Sequence, residues 1–170
     1  YRNRVNLGYG GNMKRALSIG LERGGDVFVD IHPDGEYLAS CIPTALKEVA
    51  SGAQFVLGNR FKSPTAPLQS GMYFWKILPI WFLNFLARAV LRVDIKDMHQ
   101  GFRVYTRSML EKVGFENNSD DYLFSFELIA QAVLRNIPIA QIFVETDYRG
   151  SKRGASLKKS ILYSLGTLKT

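Results

Sequence analysis

The sequence predicts one α/β domain over residues 1–170, a mixed and mostly parallel sheet flanked by helices. Two short runs of strand-forming residues, Val27–Ile31 and Gln54–Gly58, lie on either side of a helical stretch, Cys41–Ser51. Helices alternating with strands over short connections are typical of parallel α/β layers. A chain of 170 residues with 46% hydrophobic residues can also bury a sizeable core.

Composition narrows the classes of partner. The net charge of +7 is compatible with nucleic acid, anionic lipid or phosphorylated small molecules. Nucleic acid is disfavoured and we expect none as a partner, because the aromatics concentrate in Met72–Leu91 and not beside lysine and arginine. Cys41 is the only cysteine, which excludes a disulfide within the chain.

The first elements are a glycine-containing loop and a helix. Tyr1–Asn12 is predicted as a loop in which Gly10 and Gly11 permit close backbone approach, before a helix over Met13–Glu22. A helix N-terminus after such a loop favours phosphate, although a plain turn explains the same residues. The abrupt start in a polar stretch predicts a fragment whose amino-terminal strands are absent.

A polar turn follows the Val27–Ile31 strand and offers His32, Asp34 and Glu36 at alternate positions. The carboxyl end of a strand is where open α/β sheets build ligand sites. Oxygen ligands of this kind suit Mg²⁺ or Mn²⁺ bound together with phosphates. A surface turn built on Pro-Asp-Gly remains the alternative.

Further polar residues occur in the second half of the chain. In the loop Val93–Val104, Asp97 and Arg103 flank a glycine and can present a carboxylate and a guanidinium together. Glu127 lies among apolar residues of a predicted helix, where a carboxylate needs a partner, such as Arg103, or a function. The remaining predicted elements are a loop over Lys62–Gly71, helices over Thr106–Val113 and Tyr122–Leu134, an acidic loop over Glu116–Asp121, a strand over Ile137–Val144, a basic loop over Tyr148–Ser156 and an amphipathic segment over Leu157–Leu168.

The most apolar stretch is Met72–Leu91. Its length approaches a bilayer span, but Lys76, Asn84 and Arg88 interrupt it and Pro79 lies inside it. Charges in the middle of a membrane span are costly, so we expect a helix pair packed in the domain or lying at a bilayer interface.

Six motifs occur in an order that resembles the family 2 glycosyltransferases, and in particular the dolichyl- or polyprenyl-phosphate sugar transferases and their bacterial relatives. They are NLGYGGN, GDVFVDIHPDGEY, FVLGNRF, DMHQGFRVYTRSML, LFSFELIAQAVLRNIPI and YRGSKRGAS. The resemblance implies a GT-A fold that lacks its first strands here, and inverting, metal-assisted transfer from a nucleotide-sugar donor. It also implies a polyprenyl-phosphate or saccharide acceptor, and a cytoplasmic location at the face of a membrane.

The resemblance also assigns roles to residues. The family's aspartate-any-aspartate motif falls on His32-Pro33-Asp34, so Asp34 is the expected anchor for Mg²⁺ or Mn²⁺, with His32 replacing the first aspartate and Glu36 nearby. Asp97 and Glu127 are the expected catalytic carboxylates. The expected donor and phosphate ligands are Gly10, Gly11, Arg60, Arg103, Arg149 and Arg153, with Lys152 as a further candidate. Because His32 replaces the first aspartate of the motif, a second hypothesis stays open, a non-catalytic glycosyltransferase-like scaffold at a membrane surface.

Overall fold

The computed structural model describes residues 2–63 and 65–148, and of Lys76 it describes the backbone only. The elements run in the order α1 (Gly8–Glu22), β1 (Val27–Asp30), α2 (Ile42–Ala50), β2 (Phe55–Asn59), α3 (Ala66–Gln69), α4 (Phe74–Leu91), β3 (Arg103–Thr106), α5 (Arg107–Leu110), α6 (Phe124–Leu134) and β4 (Ile139–Phe143). Arg149, Lys152, Arg153, most of the predicted basic loop and the amphipathic segment Leu157–Leu168 lie outside the described residues.

The strands form one mixed sheet in the order β1-β3-β2-β4. β3 pairs antiparallel with both β1 and β2, whereas β2 and β4 are parallel. The expectation of a mostly parallel sheet is therefore wrong for these strands, although the mixed α/β architecture is confirmed. The reason is that β3 lies between β1 and β2 and runs in the opposite direction. The order of the elements in the sequence had suggested that β1 and β2 are neighbours.

This strand order determines where polar residues meet. β1, β2 and β4 run in the same direction, so their carboxyl ends lie at one edge of the sheet. β3 runs the opposite way and begins at that edge. We call it the carboxyl edge. Three segments with predicted site residues lie at this edge. They are the turn after β1, the turn after β2 and the loop before β3.

Both faces of the sheet are covered, as the wholly buried β2 requires. Phe55 and Leu57 point into a core shared with α1 and α6, while Val56 points into a smaller core against α2. This alternation is the two-residue period of a pleated strand. A strand buried on both faces provides a rigid support for the residues that follow it.

Several predicted boundaries change. α1 begins at Gly8, well before the predicted Met13, because its glycines pack on the backbone of Ser119 and Asp120. The predicted loop Lys62–Gly71 contains α3, and the helix predicted over Thr106–Val113 is shortened to α5.

The stretch Met72–Leu91 contains one helix, α4 over Phe74–Leu91, which continues through Pro79, so the prediction of a helix pair is wrong. Its buried residues face the domain, in agreement with the prediction of a packed helix. Within the described ranges, no helix combines the length and the apolar character that crossing a membrane requires.

Candidate active site at the carboxyl edge of the sheet

A buried ion pair lies at the centre of the carboxyl edge. Arg60, directly after β2, donates from Nε to Oδ2 of Asp97 at 2.6 Å and from Nη2 to Oδ1 at 3.4 Å. The backbone N–H of Arg60 also donates to Oδ2, at 3.3 Å. The side chain of Asp97 is 0% exposed and that of Arg60 is 6% exposed. Burial disfavours the charged guanidinium, but the Asp97 carboxylate outweighs it and holds the pKa of Arg60 above its ordinary value.

Two tyrosines complete the surroundings of this pair. Nη1 of Arg60 donates to the hydroxyl of Tyr148 at 3.1 Å. The Tyr37 hydroxyl accepts from the backbone N–H of Gly101 at 3.2 Å, which ties the turn after β1 to the loop before β3. Burial raises the pKa of both phenols, so they remain neutral. Sequence patterns did not identify either tyrosine, because a single aromatic residue beside a turn has no distinctive spacing.

The His32 side chain lies between two aromatic rings. Its ring contacts Tyr9 and Tyr37 edge-to-face, with centroids 5.9 and 5.4 Å apart. A Cβ at position 101 would lie 2.8 Å from Cε1 and 2.9 Å from Nε2 of His32, so Gly101 makes room for the imidazole. Nε2 is buried and has no hydrogen-bond partner among the described residues. A buried nitrogen of this kind is available to a ligand or a cation.

Asp30 forms a second polar cluster beside His32. Its Oδ2 accepts hydrogen bonds from the hydroxyls of Tyr9, at 3.1 Å, and Tyr105, at 3.4 Å. Asp30 lies opposite Arg103 across the β1–β3 pair. Burial raises the pKa of Asp30, while the charges of Arg103 and His32 oppose the rise. The two-residue period of a strand places Asp30 and His32 on the same side, but it does not show that two phenols bind the carboxylate.

The three predicted metal ligands differ in environment. Asp34 is exposed and its Oδ1 accepts from the backbone N–H of Glu36 at 3.0 Å, whereas Glu36 is 6% exposed. Among the described residues, no group of three His, Cys, Asp or Glu side chains is gathered as a metal site. The assignment of Asp34, His32 and Glu36 to a metal therefore stays a prediction.

The remaining predicted site residues have structural contacts. Both oxygens of Glu127 accept hydrogen bonds from Ser119, at 2.7 Å from its N–H and 2.6 Å from its hydroxyl. Gly10 and Gly11 belong to α1, and a Cβ on Gly10 would overlap the carbonyl oxygen of Ser119. The N–H of Gly11 donates to the carbonyl of Asp120. These contacts fix α1 and α6 to the loop that precedes α6. The predicted catalytic and phosphate-binding roles stay predictions.

His99 and Arg103 lie on the inner side of the edge. Burial lowers the pKa of His99 to about 4, with Arg60 and Arg103 acting in the same direction and Asp97 opposing them. The His99 ring stacks on Phe126 at 6.0 Å. Arg103 is 2% exposed and its Nη2 donates to the carbonyl of Met98 at 3.3 Å. His99 is therefore a neutral packing residue at pH 7, and Arg103 keeps a positive charge beneath Asp30.

This architecture is a GT-A-like glycosyltransferase fold, as comparison with solved structures confirms. Glucosyl-3-phosphoglycerate synthase from Mycobacterium tuberculosis, in complex with Mn²⁺, uridine-diphosphate-glucose and glycerol 3-phosphate, superposes with a TM-score of 0.62 at 17% identity. The match covers 95% of this chain and 53% of that chain. The same protein with phosphoglyceric acid gives a TM-score of 0.63, covering 99% and 55%.

The particular relatives are lipid-phosphate sugar transferases. The chain is 26% identical over 163 residues to polyprenol monophosphomannose synthase of Mycolicibacterium smegmatis, covering 93% of this chain and 60% of the relative. It is 26% identical over 154 residues to undecaprenyl-phosphate mannosyltransferase of Micrococcus luteus, covering 88% and 62%. No protein-family model matches. The predicted resemblance to polyprenyl-phosphate sugar transferases is confirmed, and the chain spans about three fifths of the length of these relatives.

Proposed function

We propose that this chain carries the catalytic site of a glycosyltransferase that moves a sugar from a nucleotide diphosphate to a polyprenyl phosphate. The observation that supports this most is the carboxyl edge itself, where the turn of His32 and Asp34 follows β1 and the buried pair of Arg60 and Asp97 follows β2. An edge with an exposed carboxylate, Asp34, and a fixed guanidinium, Arg60, suits a diphosphate that is bound through a metal ion and through a cationic side chain.

The donor chemistry of the turn fits Mn²⁺ or Mg²⁺. A metal that shares its coordination with substrate phosphates needs only one or two protein ligands, so a preformed group of three is not required. Asp34 would supply a carboxylate and His32 its unpartnered Nε2, with Glu36 adjacent. Imidazole suits Mn²⁺ better than Mg²⁺. When bound, the ion would neutralise charge on the departing diphosphate.

The transfer itself is a displacement at the anomeric carbon. An oxygen of the acceptor phosphate forms the new bond to that carbon while the bond to the nucleoside diphosphate breaks, and its electron pair leaves with the diphosphate. Attack from the opposite side inverts the configuration. A phosphate acceptor is already an anion at pH 7, so no proton has to be removed.

Asp97 then acts through Arg60 and not as a base. Its carboxylate is engaged by the guanidinium and by the backbone N–H groups of Arg60 and His99, and it is out of contact with solvent. A fixed guanidinium can bind a phosphate oxygen without reorganising, which is how a prearranged charge contributes most. Asp97 is therefore a positioning residue, and Arg60 is the group that contacts phosphate.

A lipid-phosphate acceptor sets the place of reaction. Polyprenyl chains reside in membranes, so transfer would occur at a membrane surface, and the nucleotide-sugar donor indicates the cytoplasmic side. The names of the two relatives refer to polyprenol and undecaprenyl phosphate, and this supports a lipid-phosphate acceptor. A saccharide acceptor would instead need a general base, and Asp97 is not free to act as one.

Labelled sugar transfer from a panel of uridine- and guanosine-diphosphate hexoses to a short-chain polyprenyl phosphate tests the proposal. We expect Mn²⁺-dependent transfer, and a loss of roughly a hundredfold or more in kcat/KM for Asp34→Ala, the scale of losing electrostatic stabilisation of a leaving group. Asp26→Ala is the matched control, because Asp26 is exposed and lies before β1, at the opposite edge.

Calorimetry with the nucleotide sugars, with and without Mn²⁺, gives a readout independent of turnover. If no donor binds and no sugar is transferred, the chain is not this enzyme and the scaffold hypothesis stands. If Asp34→Ala binds donor and Mn²⁺ as the unmodified chain does, the metal assignment is wrong.

A further inference from the structure

Four aromatic rings lie in a row at the carboxyl edge. Tyr37, His32, Tyr9 and Tyr122 contact one another in this order, with ring centroids 5.4, 5.9 and 5.4 Å apart. We call these four residues the ring row. At one end, the hydroxyl of Tyr37 is hydrogen-bonded to the loop before β3, and at the other end Tyr122 lies in the loop before α6.

Tyr122 is the most exposed member of the ring row. It is 48% exposed, although one face of its ring stacks on Tyr9 with an angle of 18° between the two planes. Tyr37 is buried, and Tyr9 and His32 are half-buried. Because stacking covers only one face of a ring, the ring row presents a free aromatic face at its α6 end.

Polar contacts of Tyr9 hold the ring row in place. Its hydroxyl donates to Oδ2 of Asp30 at 3.1 Å and accepts from the hydroxyl of Ser125 at 3.2 Å. These hydrogen bonds join α1, β1 and α6, and they fix the ring on which Tyr122 stacks. A surface that is already ordered binds a ligand with a smaller loss of side-chain freedom.

Two carboxylates precede Tyr122 in the same loop. The Asp120 side chain is 72% exposed and pairs with Lys14 at 2.6 Å, and Oδ1 of the exposed Asp121 accepts from the N–H of Leu123 at 2.8 Å. Their other oxygens can accept hydrogen bonds from hydroxyl groups. The face of an aromatic ring carries partial negative charge, against which the C–H groups of a sugar ring pack. An aromatic face beside carboxylates therefore suits a neutral sugar better than a phosphate, which the carboxylates would repel.

The ring row also connects this surface to the predicted metal turn. His32, a proposed metal ligand, contacts Tyr9, and Tyr9 contacts Tyr122. In a nucleotide sugar, the hexose is bonded directly to the phosphate farther from the nucleoside, whereas the base is separated from that phosphate by a second phosphate and a ribose. With the diphosphate bound at the turn, the hexose is therefore better placed than the base to reach Tyr122.

We infer that Tyr122 is a stacking surface for the hexose ring of the donor, held in place by Tyr9. The inference rests on the proposed function and adds a residue that recognises the sugar. Tyr122 would contact the transferred group without taking part in bond formation or cleavage. Its removal should therefore weaken binding of the sugar and leave the chemical step largely unchanged.

Calorimetry in the presence of Mn²⁺ tests this by comparing uridine and guanosine diphosphates with their hexose derivatives. Tyr122→Ala is expected to raise the Kd of the nucleotide hexose about three- to tenfold, the scale of one stacking contact, and to leave the Kd of the nucleoside diphosphate unchanged. Tyr122→Phe keeps the ring and should bind both ligands as the unmodified chain does. Leu134→Ala, which alters an exposed residue at the opposite end of α6, is the control and should change neither Kd.

In the transfer assay, Tyr122→Ala should raise the KM for the donor with little change in kcat. Equal weakening of both ligands would overturn the inference, because Tyr122 would then act on the nucleotide or on the fold. An unchanged Kd for the nucleotide hexose would overturn it as well, and in both cases the proposed function would stand. If the unmodified chain binds neither ligand, the proposed function fails and the inference fails with it.

Discussion

Replacing Asp97 by asparagine should destabilise the domain severely. The substitution keeps the shape of the side chain but removes the charge that compensates Arg60. The guanidinium remains buried at 6% exposure, and the amide group would direct a donor at one of its nitrogens. The only other described side-chain partner of Arg60 is the neutral hydroxyl of Tyr148.

The magnitude follows from burial of both partners. Removing one member of a buried ion pair costs about 3–5 kcal/mol, because the remaining charge has lost both its partner and its water. For a chain of this length that corresponds to a fall in Tm of roughly 6–20 °C. Since whole domains are stable by only about 5–15 kcal/mol, the variant would be near its unfolding threshold.

Urea unfolding followed by circular dichroism measures this free energy. Glu111→Gln is the control, because its ion pair with Arg107 at 3.2 Å is 57% exposed on the glutamate side and should contribute less than about 1 kcal/mol. The double variant Arg60→Met/Asp97→Asn also removes the guanidinium that would be left without a partner. Its loss of unfolding free energy should therefore be smaller than the sum of the losses for the two single variants.

A loss below about 1 kcal/mol for Asp97→Asn, equal to that of the surface control, would contradict the reasoning. It would mean that water or another group compensates the charge of Arg60 once the Asp97 carboxylate is removed. The proposed role of Asp97 in positioning Arg60 would then lose its physical basis.

Two further predictions concern stability. Burial lowers the pKa of His99 to about 4, so between about pH 6.5 and pH 4 the unfolded chain binds a proton at this histidine and the folded chain does not. The free energy of unfolding should therefore be highest above about pH 6.5 and decrease as the pH falls towards 4. His99→Gln should flatten that fall in urea titrations at several pH values, and an unchanged slope would exclude His99 as its source. Gly10→Ala should cost about 1–3 kcal/mol, since its Cβ would overlap the Ser119 carbonyl. Gly114→Ala, whose Cβ would meet its neighbour at 3.4 Å, should cost less, and equal Tm values for the two variants would refute the packing argument.

Local patterns predicted the elements better than their arrangement. The strands at Val27–Asp30 and Ile139–Phe143 and the helix at Ile42–Ala50 were expected from side-chain periodicity, which depends on neighbours in sequence. The antiparallel pairing of β3 (Arg103–Thr106) was not expected, because nothing in its sequence indicates that it lies between β1 and β2. That choice is made by pairing between residues far apart in the chain.

The same limit applies to the site. Residues after strands were expected at one edge, and the structure places Asp34, Arg60 and Asp97 there. Their mutual contacts were not predictable, since the sequence does not show that Arg60 and Asp97 bind each other across 37 positions. Nor does it show that Glu127 binds Ser119, because that bond depends on how the loop before α6 folds.

The interleaved strand order has a consequence for how the domain folds. Each pairing within the described sheet joins strands that are dozens of residues apart, and no two strands are connected as a hairpin. β1 and β2 leave the ribosome before β3 exists, so each waits without its neighbour while the apolar α4 follows. Folds dominated by such distant pairings form slowly and leave apolar segments open to wrong association in the meantime. The apolar helix α4 would thus be the segment in greatest need of protection during synthesis.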